Sequence, residues 1–351
     1  MNWSLERRGY QLGEVTSTAT SSDQTDQWHA GQACLLKGVC LDSIEQQQQN
    51  LQRSDRLYAA VLDNIEPHQL MDQPPYSEHL EGLFESLGST VNEGDEQEIE
   101  TVLFDVVKDG DLIAQDLWMK VSWLSFYDED ASLRFRFSFG MDLAEDVAAD
   151  KHRQTYAAQL GNAVFPESTI ISEDQSLIST LQDLLKSDEV SFVEHIVYFN
   201  SPQGGAYLHH DRERGHAGVV YAQLSGQTYW LALPKKDLVN EVIDFINSCE
   251  QQQQWPSSFT SEQRNELSRL ASNTEHLSTE LETFANDSLI HLINETEPFV
   301  QQLIASGYGR LVETGDVILL PQENDLNCCW HSVFNLGDES GQALSFAIRG
   351  G

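Results

Sequence analysis

From residue 192 to residue 349 the chain falls into short apolar or alternating segments, each ended within a few residues by Gly, Pro or Asn. The segments at 192–200, 206–211, 218–224, 228–233, 316–320, 331–336 and 343–349 read as strands. Two more are expected earlier, at 120–126 and 133–139, around a turn at 128–132. In the second of these, Leu133, Phe135, Phe137 and Phe139 alternate with Arg134, Arg136 and Ser138. A period of two puts the apolar set on one face, which is the pattern of a half-buried strand. Many short strands with such punctuation specify a β-sandwich or barrel.

One stretch breaks the series. Residues 236–307 have helical character, with Leu238, Val239, Val242, Ile243 and Ile246 on an i, i+3/i+4 stripe. Thr260-Ser-Glu-Gln263 resembles a capping box. Pro298 near a helix start and Gly307 after its end fit the asymmetry of helix termini. The stretch is expected to be a helical insertion between two strands. Residues 14–27 read as a loop, and a helix is expected at about 41–65, carrying the glutamine run Gln46 to Gln49. A second run, Gln251 to Gln254, reads as surface loop. The expected fold class is mainly β with helical additions (α+β). The expected division is a mostly helical or irregular region at 1–111 packed on a β-domain at 112–351.

Charge limits the partners. The chain carries 20 Lys+Arg against 56 Asp+Glu, a net −36. Nucleic-acid binders need clustered cations to release counterions, so nucleic acid is excluded as a partner, and anionic membrane surfaces are disfavoured. No apolar run is long enough to span a bilayer, and residues 1–13 lack an apolar signal-peptide core. The five cysteines, Cys34, Cys40, Cys249, Cys328 and Cys329, show no CxxC spacing and read as reduced thiols of a cytoplasmic protein. In that compartment the Asn-x-Ser/Thr triplets at Asn2, Asn286 and Asn294 carry no glycosylation meaning.

Gly204-Gly-Ala-Tyr-Leu-His-His-Asp211 carries the chemistry. On a strand, His209 and Asp211 share a face and can reach one metal. A distant histidine would complete a two-His-one-carboxylate triad, which leaves coordination positions open for non-haem Fe(II) oxygen chemistry. His331 is the candidate, after the turn, strand and proline of Gly315-Asp-Val-Ile-Leu-Leu-Pro321. The bland readings are a His-rich surface turn for His209 and Asp211, and a core histidine for His331. His210 should point away if His209 points in, and His216 is the nearest competitor. His79-Leu-Glu81 is a decoy, because i and i+2 diverge on a helix. Ala343, Ser345, Ala347 and Arg349 share a face of small residues, beside which Arg349 could fork onto a carboxylate. Arg134 and Arg136 read as a strand's solvent face rather than as substrate clamps, and Cys328 and Cys329 as packing groups.

The ordered set of Gly-x-x-x-His-x-Asp, Ala222-Gln-Leu-Ser-Gly226, Leu231-Ala-Leu-Pro234, Gly-Asp-x-x-x-x-Pro and Trp330-His331-Ser-Val333 resembles the Fe(II)/2-oxoglutarate-dependent oxygenases, in their JmjC/cupin-like branch. The resemblance covers roughly 193–351 around the insertion, and not the first half of the chain. It implies a double-stranded β-helix (jelly roll), with His209, Asp211 and His331 holding Fe(II), and 2-oxoglutarate as co-substrate, released as succinate and CO2. JmjC-like members often place a Lys where this chain has Thr228. Other branches use an Arg on the last strand, and Arg349 matches that role. With the carboxylate Asp211 retained, the resemblance implies hydroxylation rather than halogenation.

The expectation is thus an oxygenase acting on a small molecule or amino-acid derivative, with a homodimer among the options for the surfaces outside the barrel. The alternatives are a cupin-type metal dioxygenase or isomerase without 2-oxoglutarate, a protein side-chain hydroxylase, and a non-enzymatic cupin-like binding module. Of the cations between residues 193 and 351 (Arg212, Arg214, Lys235, Lys236, Arg264, Arg269, Arg310 and Arg349), only Arg349 falls on an expected barrel strand.

Overall fold

A computed structural model describes residues 2–5, 10–14, 24–91, 98–124, 132–140, 150–212 and 216–350. The chain begins with a two-stranded ladder, β1 (Asn2–Leu5) and β2 (Tyr10–Glu14). Then come α1 (Gln24–His29), β3 (Cys34–Leu36), α2 (Leu41–Gln46), α3 (Gln48–Leu62), α4 (Pro67–Met71) and α5 (Tyr76–Leu80). Four strands follow: β4 (Phe84–Thr90), β5 (Glu98–Lys108), β6 (Asp111–Leu124) and β7 (Ser132–Phe139). The helices α6 (Lys151–Val164), α7 (Thr169–Ser172) and α8 (Gln175–Leu185) lead to β8 (Val190–Asn200), β9 (Gly205–His209), β10 (Gly218–Gln223) and β11 (Gln227–Pro234). Five helices intervene: α9 (Lys235–Gln252), α10 (Ser261–Ala271), α11 (Thr274–Thr283), α12 (Asp287–Glu295) and α13 (Glu297–Ala305). The chain closes with β12 (Gly309–Glu313), β13 (Val317–Pro321), β14 (Cys329–Leu336) and β15 (Gly341–Gly350).

Strand order defines the architecture. One sheet runs β3-β13-β10-β15-β8-β7-β6-β5-β4 and the other β12-β11-β14-β9. The strands β8 to β15 therefore divide into two facing four-stranded antiparallel sets, β13-β10-β15-β8 and β12-β11-β14-β9. That order is a double-stranded β-helix, the jelly roll the sequence led one to expect. The larger sheet continues past β8 through β7 to β4, so the first half of the chain widens the barrel's own wall.

Each face of the wide sheet has its own core. The outer face packs Phe135, Phe137, Val197, Phe199, Leu344 and Phe346 against the helices α6 and α8. Each large apolar side chain buried this way contributes about 1.5–3 kcal/mol. The barrel interior is smaller and aromatic, with Tyr221, Trp230, Ala232, Ile318, Cys329 and Ala343. The insertion helices pack a third core against the outside of the small sheet, through Leu238, Val242, Ile246, Leu292, Phe299 and Trp330. The expected apolar stripe on α9 is the face it buries, the capping box at Thr260 is formed, and Pro298 lies in the first turn of α13.

Some expectations need correction. The division at 111/112 falls in the turn of the β5–β6 hairpin, where Lys108 pairs with Asp111. β5 carries the signal of a strand, with Val102, Phe104 and Val106 alternating into the core. β4 does not, since six of its seven residues are exposed, and its polar sequence gives no alternation to read. The helix expected at 41–65 is two helices broken at Gln47 inside the glutamine run. β12 follows a helix and has only one fully apolar pair, so it was not anticipated. Most of the turn expected at 128–132, most of the loop at 14–27, and Arg214 lie outside the described residues.

Candidate metal centre

His209 ends β9, Asp211 follows it, and His331 lies near the start of β14, directly paired with His209. The close approach of β9 to β14 depends on Gly205. Its φ is +150°, and a Cβ there would stand 1.9 Å from the Val333 carbonyl oxygen. No side chain fits that position.

The three side chains meet at one end of the barrel. Asp211 Oδ1 lies 3.7 Å from His209 Nε2 and Asp211 Oδ2 lies 3.4 Å from His331 Nε2. One ligand atom from each falls within 4.8 Å of the other two. Two metal–nitrogen bonds of about 2.1 Å at a right angle put their donors about 3 Å apart, so a small inward movement would suffice. The imidazoles are oriented for such a role. His209 Nδ1 is 2.6 Å from the Tyr207 carbonyl oxygen and His331 Nδ1 is 3.4 Å from that of Cys329. A carbonyl only accepts, so each Nδ1 carries the proton and each Nε2 presents its lone pair to the centre. Burial, reinforced by the neighbouring His209 ring, pushes His331 down to about 4. It is therefore neutral at physiological pH, as a ligand must be.

Exposure is graded across the group. The His331 side chain is 4% exposed, those of His209 and Asp211 36% and 40%. The Trp230 ring stacks on His331 with centroids 5.3 Å apart, at the buried wall. The cluster is thus dry behind and open in front. This arrangement fits a first-row divalent ion held by two nitrogens and one carboxylate on one side, with the opposite side open for exogenous ligands.

Neighbouring histidines do other work. His210 points away, to Glu282 on α11 at 2.8 Å. His216 stands at the rim between Glu194, at 3.3 Å, and Arg349, whose Nε donates to its Nδ1 at 3.3 Å. His79 contacts Arg53 and the Ala163 carbonyl, far from the barrel mouth in sequence and fold. Cys328 and Cys329 are fully buried free thiols whose pKa values rise through burial, so they are not poised as thiolates.

The two residues suggested for a co-substrate carboxylate fare differently from the ligand set. Thr228 is fully buried, its hydroxyl donates to Gln223 Oε1 at 2.9 Å and it accepts from Trp230 Nε1 at 2.8 Å. A threonine has one O–H to give, so Thr228 has none left for a carboxylate. Arg349 is half-buried and tied into the rim contact with His216. Arg310 lies on β12 opposite Trp230, buried, with Nη1 donating to the carbonyls of Gly307 and Gly309.

Sequence reasoning passed over a different group. Arg134 and Arg136 pair across strands with Tyr198 and Ile196. The side chains of directly paired residues lie on one face of the sheet, so both arginines share the face that Tyr198 presents to the barrel interior. Both are half-buried. Tyr198 packs on Tyr221 and shares a hydrogen bond with Ser345. Burial raises its phenol pKa, and the charges of Arg134, Asp211 and Arg136 all act on it. Among the described residues Arg136 makes no hydrogen bond or ion pair. The alternation of Arg134 and Arg136 was legible, but strand pairing decides that their face is the barrel's side.

No protein-family profile matches the sequence, and no curated protein matches it. Among solved structures it is similar to a 2OG-Fe(II) oxygenase family oxidoreductase from Burkholderia pseudomallei (8% identity, 66% of this chain and 68% of that one, TM-score 0.25). It is also similar to YcfD, a ribosomal oxygenase from Escherichia coli (11% identity, TM-score 0.30). There the match takes in 96% of this chain but about half, 53%, of YcfD. A third is HygX from Streptomyces hygroscopicus with nickel and 2-oxoglutarate bound (11%, 62% and 70%, TM-score 0.26). The first is described as a 2OG-Fe(II) oxygenase family member and the second as a ribosomal oxygenase, while the third holds nickel and 2-oxoglutarate. The fold rests on the strand order itself.

Proposed function

We propose that this chain is an Fe(II)- and 2-oxoglutarate-dependent oxygenase that hydroxylates a C–H bond of a small molecule or amino-acid derivative, releasing succinate and CO2. One observation carries the reading. Two imidazole Nε2 lone pairs and one carboxylate converge at the mouth of a double-stranded β-helix, with each Nδ1 turned to a backbone carbonyl. A structural zinc site closes its fourth position with another protein ligand. Among the described residues no fourth His, Cys, Asp or Glu joins this group.

His209, Asp211 and His331 would hold the metal, which when bound would supply oxygen activation. The protein's own contribution is orientation and dryness. The backbone carbonyls of Tyr207 and Cys329 fix the two rings. Trp230 shields the inner side of His331. The Tyr198–Ser345 pair, which keeps one hydroxyl proton beyond its mutual hydrogen bond, and the Arg136 cation would receive the co-substrate's distal carboxylate, a role that Thr228 cannot fill and that Arg349 fills only if it leaves His216. The net charge of −36 argues against nucleic acid as substrate. No helix among the described residues is long and apolar enough to cross a membrane, and five buried free cysteines fit a reducing cytoplasm.

A second reading keeps the metal without 2-oxoglutarate. It is favoured by the hydrogen-bonded network around Thr228 and Gln223, deep in the barrel, which among the described residues includes no cation. One experiment separates the two. Anaerobic protein is loaded with Fe(II), and 2-oxoglutarate is added. The proposal expects a weak visible charge-transfer band, missing in His209→Ala, and succinate on exposure to air. Fe(II) binding with neither band nor succinate favours the second reading.

A further inference from the structure

β9 bears His209, yet it is the least supported strand of the barrel. It is five residues long, lies at the edge of the small sheet, and pairs with β14 through an irregular register between His331 and Val333. An edge strand of this kind leaves one row of backbone groups without sheet partners. Here the helical insertion takes their place. Asn294 on α12 is buried, and its Oδ1 accepts the Leu208 N–H at 2.7 Å. Tyr207 donates its hydroxyl to Glu295 at 3.3 Å. The Leu208 side chain is 1% exposed and belongs to the insertion's own apolar core.

A second clamp sits one residue past the strand. Glu282 on α11 takes His210 Nε2 at 2.8 Å on one oxygen and the buried Lys235 Nζ at 2.5 Å on the other. The His210 ring packs edge-on against Trp330, which in turn stacks on Phe284 just after α11. The residues flanking His209 on both sides, Leu208 and His210, are thus gripped by the insertion, and Asp211 follows directly.

We infer that the insertion sets the geometry of the metal-binding strand, with Asn294 and Glu282 as positioning residues that hold His209 and Asp211 on target. This rests on the reading that His209, Asp211 and His331 bind a metal. It gives the insertion a role in the centre itself. It also gives a use to Asn294, which in the sequence stood only in a glycosylation-like triplet.

The test uses the full-length metal-free protein and Co(II) as probe, read by titration and by the visible absorption of the bound ion. Asn294→Ala should weaken Co(II) binding by about 10-fold or more and alter its spectrum, the range expected when groups supporting metal ligands are removed. Asn294→Asp keeps the acceptor oxygen and should restore most of the affinity. Glu282→Ala, at an exposed position, should weaken binding by several-fold, and it serves as the second variant if Asn294→Ala fails to fold. Circular dichroism of the metal-free variants checks that the fold is kept. Wild-type affinity and spectrum in a folded Asn294→Ala and in Glu282→Ala, with binding lost in His209→Ala, would overturn the inference and leave the metal site standing. A wild-type protein that binds no Co(II) overturns both.

Discussion

Polar clusters lie at both ends of the barrel, and the two differ in what is left over. At the deep end Asn200 donates to Tyr221, Tyr221 and Thr228 both donate to Gln223 Oε1, and Trp230 donates to Thr228. Gln223 in turn donates to the carbonyls of Ser225 and Gln342. Donors and acceptors are matched, as a buried polar network must be to avoid a net cost. At the mouth His209, Asp211 and His331 turn one potential ligand atom each toward a common point, all within 4.8 Å of one another. A matched network is architecture. Three acceptors converging on one point ask for a cation, and that contrast, more than residue type, separates Thr228 from His331.

The largest effects should fall on the mouth. Asp211→Ala or His331→Ala should lower divalent-metal affinity at least about 100-fold, as expected when one of three ligands is lost, while the metal-free protein stays folded. Metal titration together with thermal unfolding checks both halves. Retained metal affinity would remove the mouth from the comparison.

The deep cluster should respond the opposite way. Gln223→Leu strands the Tyr221 and Thr228 hydroxyls in a dry interior, at about 1–3 kcal/mol for each unsatisfied donor. Denaturant unfolding should show the loss of stability, and metal affinity should not change. A fall in metal affinity with stability intact would mean that the deep cluster belongs to the site.

Buried histidines sharpen the contrast through pH. His195 lies in the outer core between Phe137 and Phe346, hydrogen-bonded to Ser168, and burial pushes it down to about 3. The folded state binds the proton more weakly than the unfolded chain does, so stability is full above about pH 6.5 and falls as pH drops towards the folded value. The slope is at most about 1.4 kcal/mol per pH unit for one such histidine. His195→Gln should flatten that part of the stability profile of the metal-free protein. An unchanged slope would show that His195 is not held neutral by the fold.

The smallest predicted change concerns the co-substrate. Arg136→Ala should weaken 2-oxoglutarate binding to the metal-loaded protein by about 10-fold, roughly the loss of one charge-assisted contact. Arg349→Ala should do less. The reverse order would move the carboxylate seat to the rim.

Much of this was legible in the sequence, and the limits have physical causes. The His-x-Asp spacing and the far His331 could be read as one ligand set, although β9 ends at His209 and Asp211 stands two residues past it, off the strand expected to carry both. The insertion could be read from its stripe and caps. Whether Thr228 offers a free donor could not, since that depends on Gln223 and Trp230, which only folding brings to it. The direction of Arg134 and Arg136 also could not be read, because alternation shows that they share a face but strand pairing decides which side it is. Arg349 lies on a strand that the alternation of its neighbours reveals, whereas Arg310 lies on β12, whose single apolar pair gives no such signal.

The most direct test of the contrast is a calorimetric titration of anaerobic metal-free protein with Fe(II). The account predicts one site in the wild type, the same site in Thr228→Val, and none in Asp211→Ala. Equal binding in Asp211→Ala, or loss of binding in a folded Thr228→Val, would contradict it.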